Sequence, residues 1–542
     1  MSVKVPHDQR VFDIILFGAT GYTGTRIARY LHEKGTKYRW AIAGRSQQKL
    51  ANVLSELVKM KLPYPLPDIL LVDATDIRSM TETFGETRLV FNVTGPYRFL
   101  GKDIVTSCIN ASTNYMDICG ETQFMEQCFN EFHDQAIEKN ILILHACAFD
   151  SVPADLGYLY TMKQYPQHAC ISIESFLTLI CPEGLGLHYT TYESAVHGVA
   201  DVSNLRKIRK DNEVKYKLPK IINNGHKLSK LTSTYYFEPR VGKYAMPFKG
   251  ADASVVRSSQ LTQALRTGEQ IWPQYRAYAT VSSYYWAATT TVYGGVFQTL
   301  ASFSLGRSLL LSMPGVFSDG VFSHEGPSEK QLEKTTFEME FFAQGYSETP
   351  EADSTLEEKI DDNNDTKKKS KKKGIPSSQL TGTPSGKSTC TAIIFGKDKS
   401  DNNQYIKPYD KYVKTIVTGP EPGYVATPII FITLAISLLE DRSSLPSGGV
   451  LTPASAFCNS PSIFDRLKEE GIEFRVVYEG SEPLVNIEEA NNNNDTNTTN
   501  TTNNTNTSNT TTNYNNNDVT KHHNNDTTIL TNKAEPASSA IR

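Results

Sequence analysis

A chain of 542 residues is too long for one hydrophobic core, so at least two domains are expected. Lys and Arg number 55 against 59 Asp and Glu, a net charge of −4 that gives no global pull toward nucleic acid. Eight cysteines, none spaced C-x2-C, point to a reduced, intracellular protein and away from a structural zinc site.

Only MSVKVPHDQRV stands before the first apolar run, too short for a secretory signal or a transit peptide. FDIILFG predicts a buried strand and TGTRIARYLHEKG a helix ending at Gly35; YRWAIAGR and SQQKLANVLSELVKM repeat the pair. ILLVDATD (69–76), RLVFNVTGPY (88–97), NYMDICGE and ILILHACAFD (141–150) supply further strands. DIVTSCINAS and QFMEQCFNEFHDQAIEKN read as helices between them. The alternation predicts an α/β domain over 10–150, a Rossmann-type parallel sheet covered on both faces.

After residue 150 the rhythm changes. CISIESFLTLI (170–180), KTTFEMEFFAQGYS (334–347), STCTAIIFG (388–396), KYVKTIVTG (411–419) and EFRVVYEG (473–480) have strand composition with few helices between. They predict a second α+β domain over 151–347 and 387–489, built on a mixed or antiparallel sheet. TPIIFITLAISLLEDR (427–442) predicts a helix with Thr as cap and Pro at its first position. An acidic-then-lysine insert (348–386) and an Asn/Thr-rich tail (490–542) lack the apolar area that offsets ordering entropy, and are expected to be disordered. Segment 277–317 has Arg307 as its one charged side chain, and Tyr284, Tyr285 and Trp286 suit a membrane interface. Two readings stand: attachment to a lipid surface, with KKKSKKK (367–373) assisting at anionic headgroups, or a buried hairpin or helix pair.

Gly18, Gly21 and Gly24 form G-x-x-G-x-x-G between a strand and a helix. Backbone amides reach a pyrophosphate closely only where side chains are absent, and a helix N-terminus adds oriented N–H groups. Gly18, Ala19, Thr20, Gly21, Tyr22, Thr23 and Gly24 are therefore the candidate phosphate loop, although a bare turn would use the same glycines. NAD calls for an acidic residue at the end of the second strand. Arg45 and Ser46 stand there instead and suit the 2′-phosphate of NADP, with NAD as the alternative and Arg45 as an ordinary surface charge the plainer reading. Asp73 would lie near the adenine, Asn92 and Gly95 toward the nicotinamide.

FGATGYTG, AGR, VFNVTGPY, NYMDICGE and AFDSVPADLG occur in this order. MPFKGADASVVRSS (246–259), GVFSHEGPSEKQ (320–331), GPEPGYVATP (419–428), GGVLTPASAF (448–457) and FDRLKEEGIEF (464–474) follow. The chain resembles the saccharopine dehydrogenase-like oxidoreductase family from about residue 10 to 480, the lysine-rich insert aside. It departs at Ala148, where the family usually has Gly, and alanine disfavours a positive φ. The resemblance implies a Rossmann domain, an NAD(P)-type cofactor and a second domain closing over it. It also implies hydride transfer, in a fold whose relatives include saccharopine-forming imine reductases and bacterial enoyl reductases of lipid intermediates. Animal members are associated with lipid droplets and membranes, and the substrate stays open.

Hydride transfer needs a proton donor within hydrogen-bond reach of the developing charge. Tyr97, Asp117, Glu121, Asp150 and Ser151 lie near strand ends, and Asp252 and Arg257 could meet them from the second domain. Each of these would serve equally as a structural hydrogen-bonding group. Asp155, beside a helix start, suits N-terminal capping. Tyr30…Lys34 and Tyr216…Lys220 have short-chain-dehydrogenase spacing but not its placement. His145 and His188 lack neighbours at metal-ligand spacing, so no metal is expected.

The expected protein is an NADP-dependent oxidoreductase acting on an apolar, lipid-like small molecule at a membrane or lipid droplet surface, otherwise cytoplasmic, with no nucleic-acid partner. A homodimer is left open. The rivals are a non-catalytic NADP-binding sensor or scaffold, and an amino-acid-type saccharopine dehydrogenase. The latter would want clustered cations for substrate carboxylates.

Overall fold

The computed structural model describes residues 6–349 and 408–484, apart from 201, 223–226, 230 and 232. The lysine-rich insert from residue 350, the strand expected at 388–396 and the Asn/Thr-rich tail lie outside the described residues. The N-terminal half alternates β1 (Phe12–Phe17), α1 (Tyr22–Glu33), β2 (Trp40–Gly44), α2 (Gln47–Lys59), β3 (Asp68–Leu71) and α3 (Ile77–Phe84). It continues with β4 (Thr87–Asn92), α4 (Tyr97–Ala111), β5 (Asn114–Asp117), α5 (Thr122–Glu138) and β6 (Leu142–Leu144). Along β1 the pleat sends Ile14 and Leu16 into one apolar layer and Ile15 and Phe17 into the other. A strand apolar on both faces needs helices on both, as the sequence pattern predicts.

Beyond α6 (Val152–Met162) come β7 (Cys170–Ile180), β8 (Leu187–His188), α7 (Tyr189–Ala200), α8 (Val202–Tyr216), β9 (Tyr236–Glu238), β10 (Lys243–Pro247) and α9 (Asp252–Thr267). Then follow β11 (Gln274–Val281), α10 (Tyr284–Ala301), α11 (Ser304–Ser312), α12 (Pro314–Phe317), β12 (Phe322–Ser323), α13 (Glu329–Lys334) and β13 (Thr336–Gly345). The C-terminal part supplies β14 (Lys411–Pro420), α14 (Thr427–Glu440), β15 (Gly449–Leu451), α15 (Pro453–Phe457), α16 (Ile463–Glu469) and β16 (Glu473–Gly480).

Two seven-stranded sheets result. The first runs β15-β6-β5-β4-β1-β2-β3, parallel throughout. The second runs β16-β14-β13-β7-β11-β10-β9 and is antiparallel except where β11 pairs with β7. α6, buried almost throughout, lies against the second sheet so closely that a Cβ on Gly157 would fall 2.3 Å from the Phe341 ring.

Four expectations need correction. The nucleotide sheet does not end at residue 150: β15 pairs with β6, and α14 packs against α1, with Phe431 4.5 Å from Phe91 between ring centres. Thr427 is not a cap. Its hydroxyl donates to the Pro422 carbonyl, and the Glu421 carboxylate accepts from the amides of Gly423, Tyr424 and Val425, capping the turn that runs into α14. The residue with positive φ in the loop after β6 is Ala146, at +56°, so Ala148 needs no glycine-like conformation. Finally, 277–317 is not a buried hairpin or a buried helix pair. Its start is the inner strand β11, and the rest is α10–α12, where Leu305 is 76% exposed, Tyr285 66% and Trp286 51%. Among the described residues the helix long and apolar enough to cross a membrane is Pro422–Glu440, but 78% of its apolar window is buried and it forms core.

Candidate functional site

The glycine loop joins β1 to α1. Gly18 adopts φ +94°, donates its N–H to the Ala43 carbonyl, and has no room for a side chain: a Cβ would lie 2.6 Å from Thr94 Oγ1. A Cβ on Gly24 would stand 2.2 Å from the Gly18 carbonyl oxygen, so α1 rests directly on the loop backbone. Gly21 is the N-cap, no side chain caps the helix, and its first turn carries no acid. The unsatisfied amides and the positive end of the helix dipole are therefore available to an anion. Thr20 and Gly21 are exposed there, Thr23 is half-buried, and Ala19 is packed beneath. The cradle fits a dinucleotide pyrophosphate.

Arg45 is exposed at the end of β2 and its charge acts on Asp73 at the end of β3. Asp73 accepts from the Thr75 amide and hydroxyl, which hold its carboxyl below the ordinary value. The Ser46 hydroxyl accepts from the Lys49 amide and caps α2. Gly95 stands opposite Thr190 of α7.

Several candidates turn inward. Asn92 is fully buried; its amide donates to the Tyr115 hydroxyl, and its oxygen accepts from the Thr94 amide. Tyr97 donates to the Asn92 carbonyl and accepts from the Ile118 amide, and burial raises its pKa well above the ordinary value. Neither side chain is free for a substrate, which removes Tyr97 as proton donor. Asp117 accepts from the Cys119 and Ala146 amides, the Tyr115 hydroxyl and His145 Nδ1, the last at 2.6 Å. It is an anchor for the loop after β6. Glu121 pairs with Arg98 at 2.7 Å and accepts from the Tyr97 amide. Tyr30 and Lys34 both meet Glu470, which leaves them structural.

Asp150 and Asp252 are brought together. Asp150 is half-buried beside Gly120, whose added Cβ would lie 3.5 Å from its carboxylate oxygen, just past the carboxyl end of β5. Asp252 opens α9 with the Ser151 hydroxyl beside it. Burial first, and then the neighbouring Asp150, push the Asp252 carboxyl up to about 8. Burial raises Asp150 as well. Both shifts favour the protonated acid. Asp155, raised to about 7 by burial, does not cap its own helix; it accepts from the Ala454 amide of α15 and the Ser259 hydroxyl of α9. Arg257 is not part of this group. Five residues beyond Asp252 on α9, it points to a different face and is exposed.

The second half of the chain closes the crevice with residues that spacing did not reveal. The Tyr22 ring stacks on His188 at 4.8 Å and meets Tyr424 edge-on at the same distance. The His188 amide donates to the Tyr424 hydroxyl, and Tyr22 donates to the Pro327 carbonyl. The Tyr22 side chain is thus committed to this aromatic wall, and only its backbone remains for a phosphate. GPEPGYVATP contains Tyr424 and GVFSHEGPSEKQ contains Pro327, His188 lies in neither, and nothing local in any of these stretches marks the contact.

A saccharopine dehydrogenase NADP binding domain matches residues 14–144, so the sheet and glycine loop are an NADP-binding unit. A saccharopine dehydrogenase-like oxidoreductase of Homo sapiens is 36% identical over 482 residues, covering 87% of this chain and 98% of that protein. The Mus musculus protein of the same description is 35% identical over 483 residues, with the same coverage. The chain belongs to the saccharopine dehydrogenase-like oxidoreductases. A Caenorhabditis elegans relative named lipid droplet localized protein is 28% identical over 478 residues, 86% of this chain and 99% of that protein. Among solved structures, a Saccharomyces cerevisiae saccharopine dehydrogenase covers 86% of this oxidoreductase at 10% identity and a TM-score of 0.46.

Proposed function

We propose that this oxidoreductase reduces an apolar, lipid-derived small molecule with NADPH while α10–α12 rest on a membrane or lipid droplet surface. The observation that carries this reading is the exposed, almost uncharged helical cap. Tyr284, Tyr285, Trp286, Val292, Leu305 and Val316 are all exposed, and the one charge, Arg307, is held by the Ala301 carbonyl. An apolar surface of this kind marks an interaction site, and aromatic residues at its edge suit the headgroup level. The name of the Caenorhabditis elegans relative supports the choice of a lipid droplet.

The cap also stands behind the crevice. Tyr192 of α7 packs on Phe297 of α10 at 5.6 Å, while the start of α7 faces the Gly95 turn. A molecule leaving the lipid surface would, in this reading, pass from α10 by way of α7 toward the Gly95 turn. In this reading the Gly18–Gly24 amides receive the pyrophosphate, and Arg45 with Ser46 the 2′-phosphate. NADPH, when bound, supplies the hydride. The protein's part is to exclude water with Tyr22, His188 and Tyr424 and to hold a proton on the Asp150–Asp252 pair for the atom that gains negative charge. A sensor or scaffold would have no use for a proton kept there.

The test is NADPH oxidation by the full chain with vesicles carrying a long-chain enal, ketone or imine. Turnover of one class is expected, with loss in Asp150→Asn and unchanged NADPH affinity. Intact NADPH binding without turnover of any class would favour the sensor.

A further inference from the structure

A cavity of about 560 Å³ is lined by α5, α8, α9, the segment after α8 and the ends of β6 and β15. Its size lies within the range of small-molecule sites. Its walls are apolar, with Met125, Phe129, Leu218, Ile221, Val255 and Leu261. Arg206, Arg209, Lys210, Lys220 and Arg257 line it as well. Two carboxylates oppose these cations: Glu126, bound by Arg209 at 2.7 Å, and Glu213. The surplus of positive charge is therefore not neutralised from within, and Arg206, Lys210, Lys220 and Arg257 are exposed to solvent.

His145 also lines this cavity. It is 1% exposed, its Nδ1 is held by Asp117, and its Nε2 has no hydrogen-bond partner. A buried polar atom left unpaired is costly unless something else satisfies it. The fixed Nδ1 contact orients the ring and leaves Nε2 as the atom available to a ligand. Arg257 belongs here, which accounts for its separation from Asp252.

We infer that this cavity binds an anionic amphiphile: a carboxylate or phosphate at the cationic rim, an apolar body along Phe129 and Leu261, and a hydroxyl or similar polar end meeting His145 Nε2. Its lining shares no residue with the Gly18–Gly24 loop, Arg45, Ser46 or the Asp150–Asp252 pair, and its ligand does not depend on the reductase reading.

The probes are ω-hydroxypalmitate, palmitate, hexadecanol and inorganic phosphate, titrated into the full chain by calorimetry, with the two fatty acids below their micelle concentrations and hexadecanol below its solubility. One ω-hydroxypalmitate per chain is expected to bind, more tightly than palmitate and at least about tenfold more tightly than hexadecanol, with affinity falling as salt rises. Arg257→Ala with Lys210→Ala should weaken it about tenfold without changing NADPH affinity, whereas Trp286→Ser should leave it alone. Both cations are exposed, so the double variant folds. No binding, binding indifferent to the two cations, or loss on Trp286→Ser would overturn the site. Equal affinity for inorganic phosphate would reduce it to an anion patch and overturn the amphiphile. Equal affinity for palmitate and ω-hydroxypalmitate would overturn the role of His145.

Discussion

Replacing Asp252 by Asn keeps the shape of the side chain and fixes it in the uncharged state. In the native protein burial, reinforced by Asp150, lifts this carboxyl from 3.8 to about 8. An unfolded chain releases the proton near pH 4, at about the ordinary carboxyl value. Between these limits the folded state binds more protons than the unfolded one, so wild-type stability falls as pH rises. The slope is about 1.4 kcal/mol per pH unit, which amounts to about 2–3 kcal/mol between pH 5 and pH 7. Asn has no such slope. Urea denaturation of both proteins across this window should show the variant gaining on the wild type by that amount as pH increases, with the two curves parallel above about pH 8. Because Asp150 shares the pocket, the effect belongs to the pair. Parallel curves throughout would mean that Asp252 is ionised in the folded protein, and its use as a proton store would fall.

Gly24→Ala places a methyl group 2.2 Å from a backbone oxygen, so the loop must shift and NADPH affinity, read by fluorescence titration, should fall at least about a hundredfold. Arg45→Glu puts a negative charge at the end of β2. The preference for NADPH over NADH should drop about tenfold or more, and competitive titration of the two cofactors would measure it. Tyr285→Ser with Trp286→Ser should abolish flotation with neutral lipid droplets while changing stability by no more than about 0.5 kcal/mol, since both side chains are exposed. Glu421→Ala strands three backbone amides, and thermal unfolding should report a loss of about 1–3 kcal/mol.

The first sheet was legible because its strands are apolar on both faces and its helices are amphipathic: β1 needs no distant information to be recognised as a buried strand. The glycine loop was legible for the same reason, since its function depends on absent side chains at fixed local spacing. β15 was not. Three residues, Gly449–Leu451, form a strand only because β6 presents an open edge, and nothing in their composition distinguishes them from a loop. The candidate carboxylates show the same division. Sequence position placed Tyr97, Asp117 and Asp150 near strand ends, but the side chains of the first two are consumed by Asn92, Tyr115 and His145. These hydrogen bonds are long-range or depend on how the β4 and β5 turns coil back. His145 acquired its partner across 28 residues, and Tyr22 found its stacking partner in β8, beyond β6 and α6. No local pattern encodes either.

The insertion of β15 beside β6 has a consequence during synthesis. Until the ribosome has released residue 451, the nucleotide-binding half carries a bare hydrogen-bonding edge at β6 and lacks the greasy helix α14 that shields α1. Nascent chains accordingly expose that edge for most of translation, and a stop before this point would leave β6 without its outer neighbour.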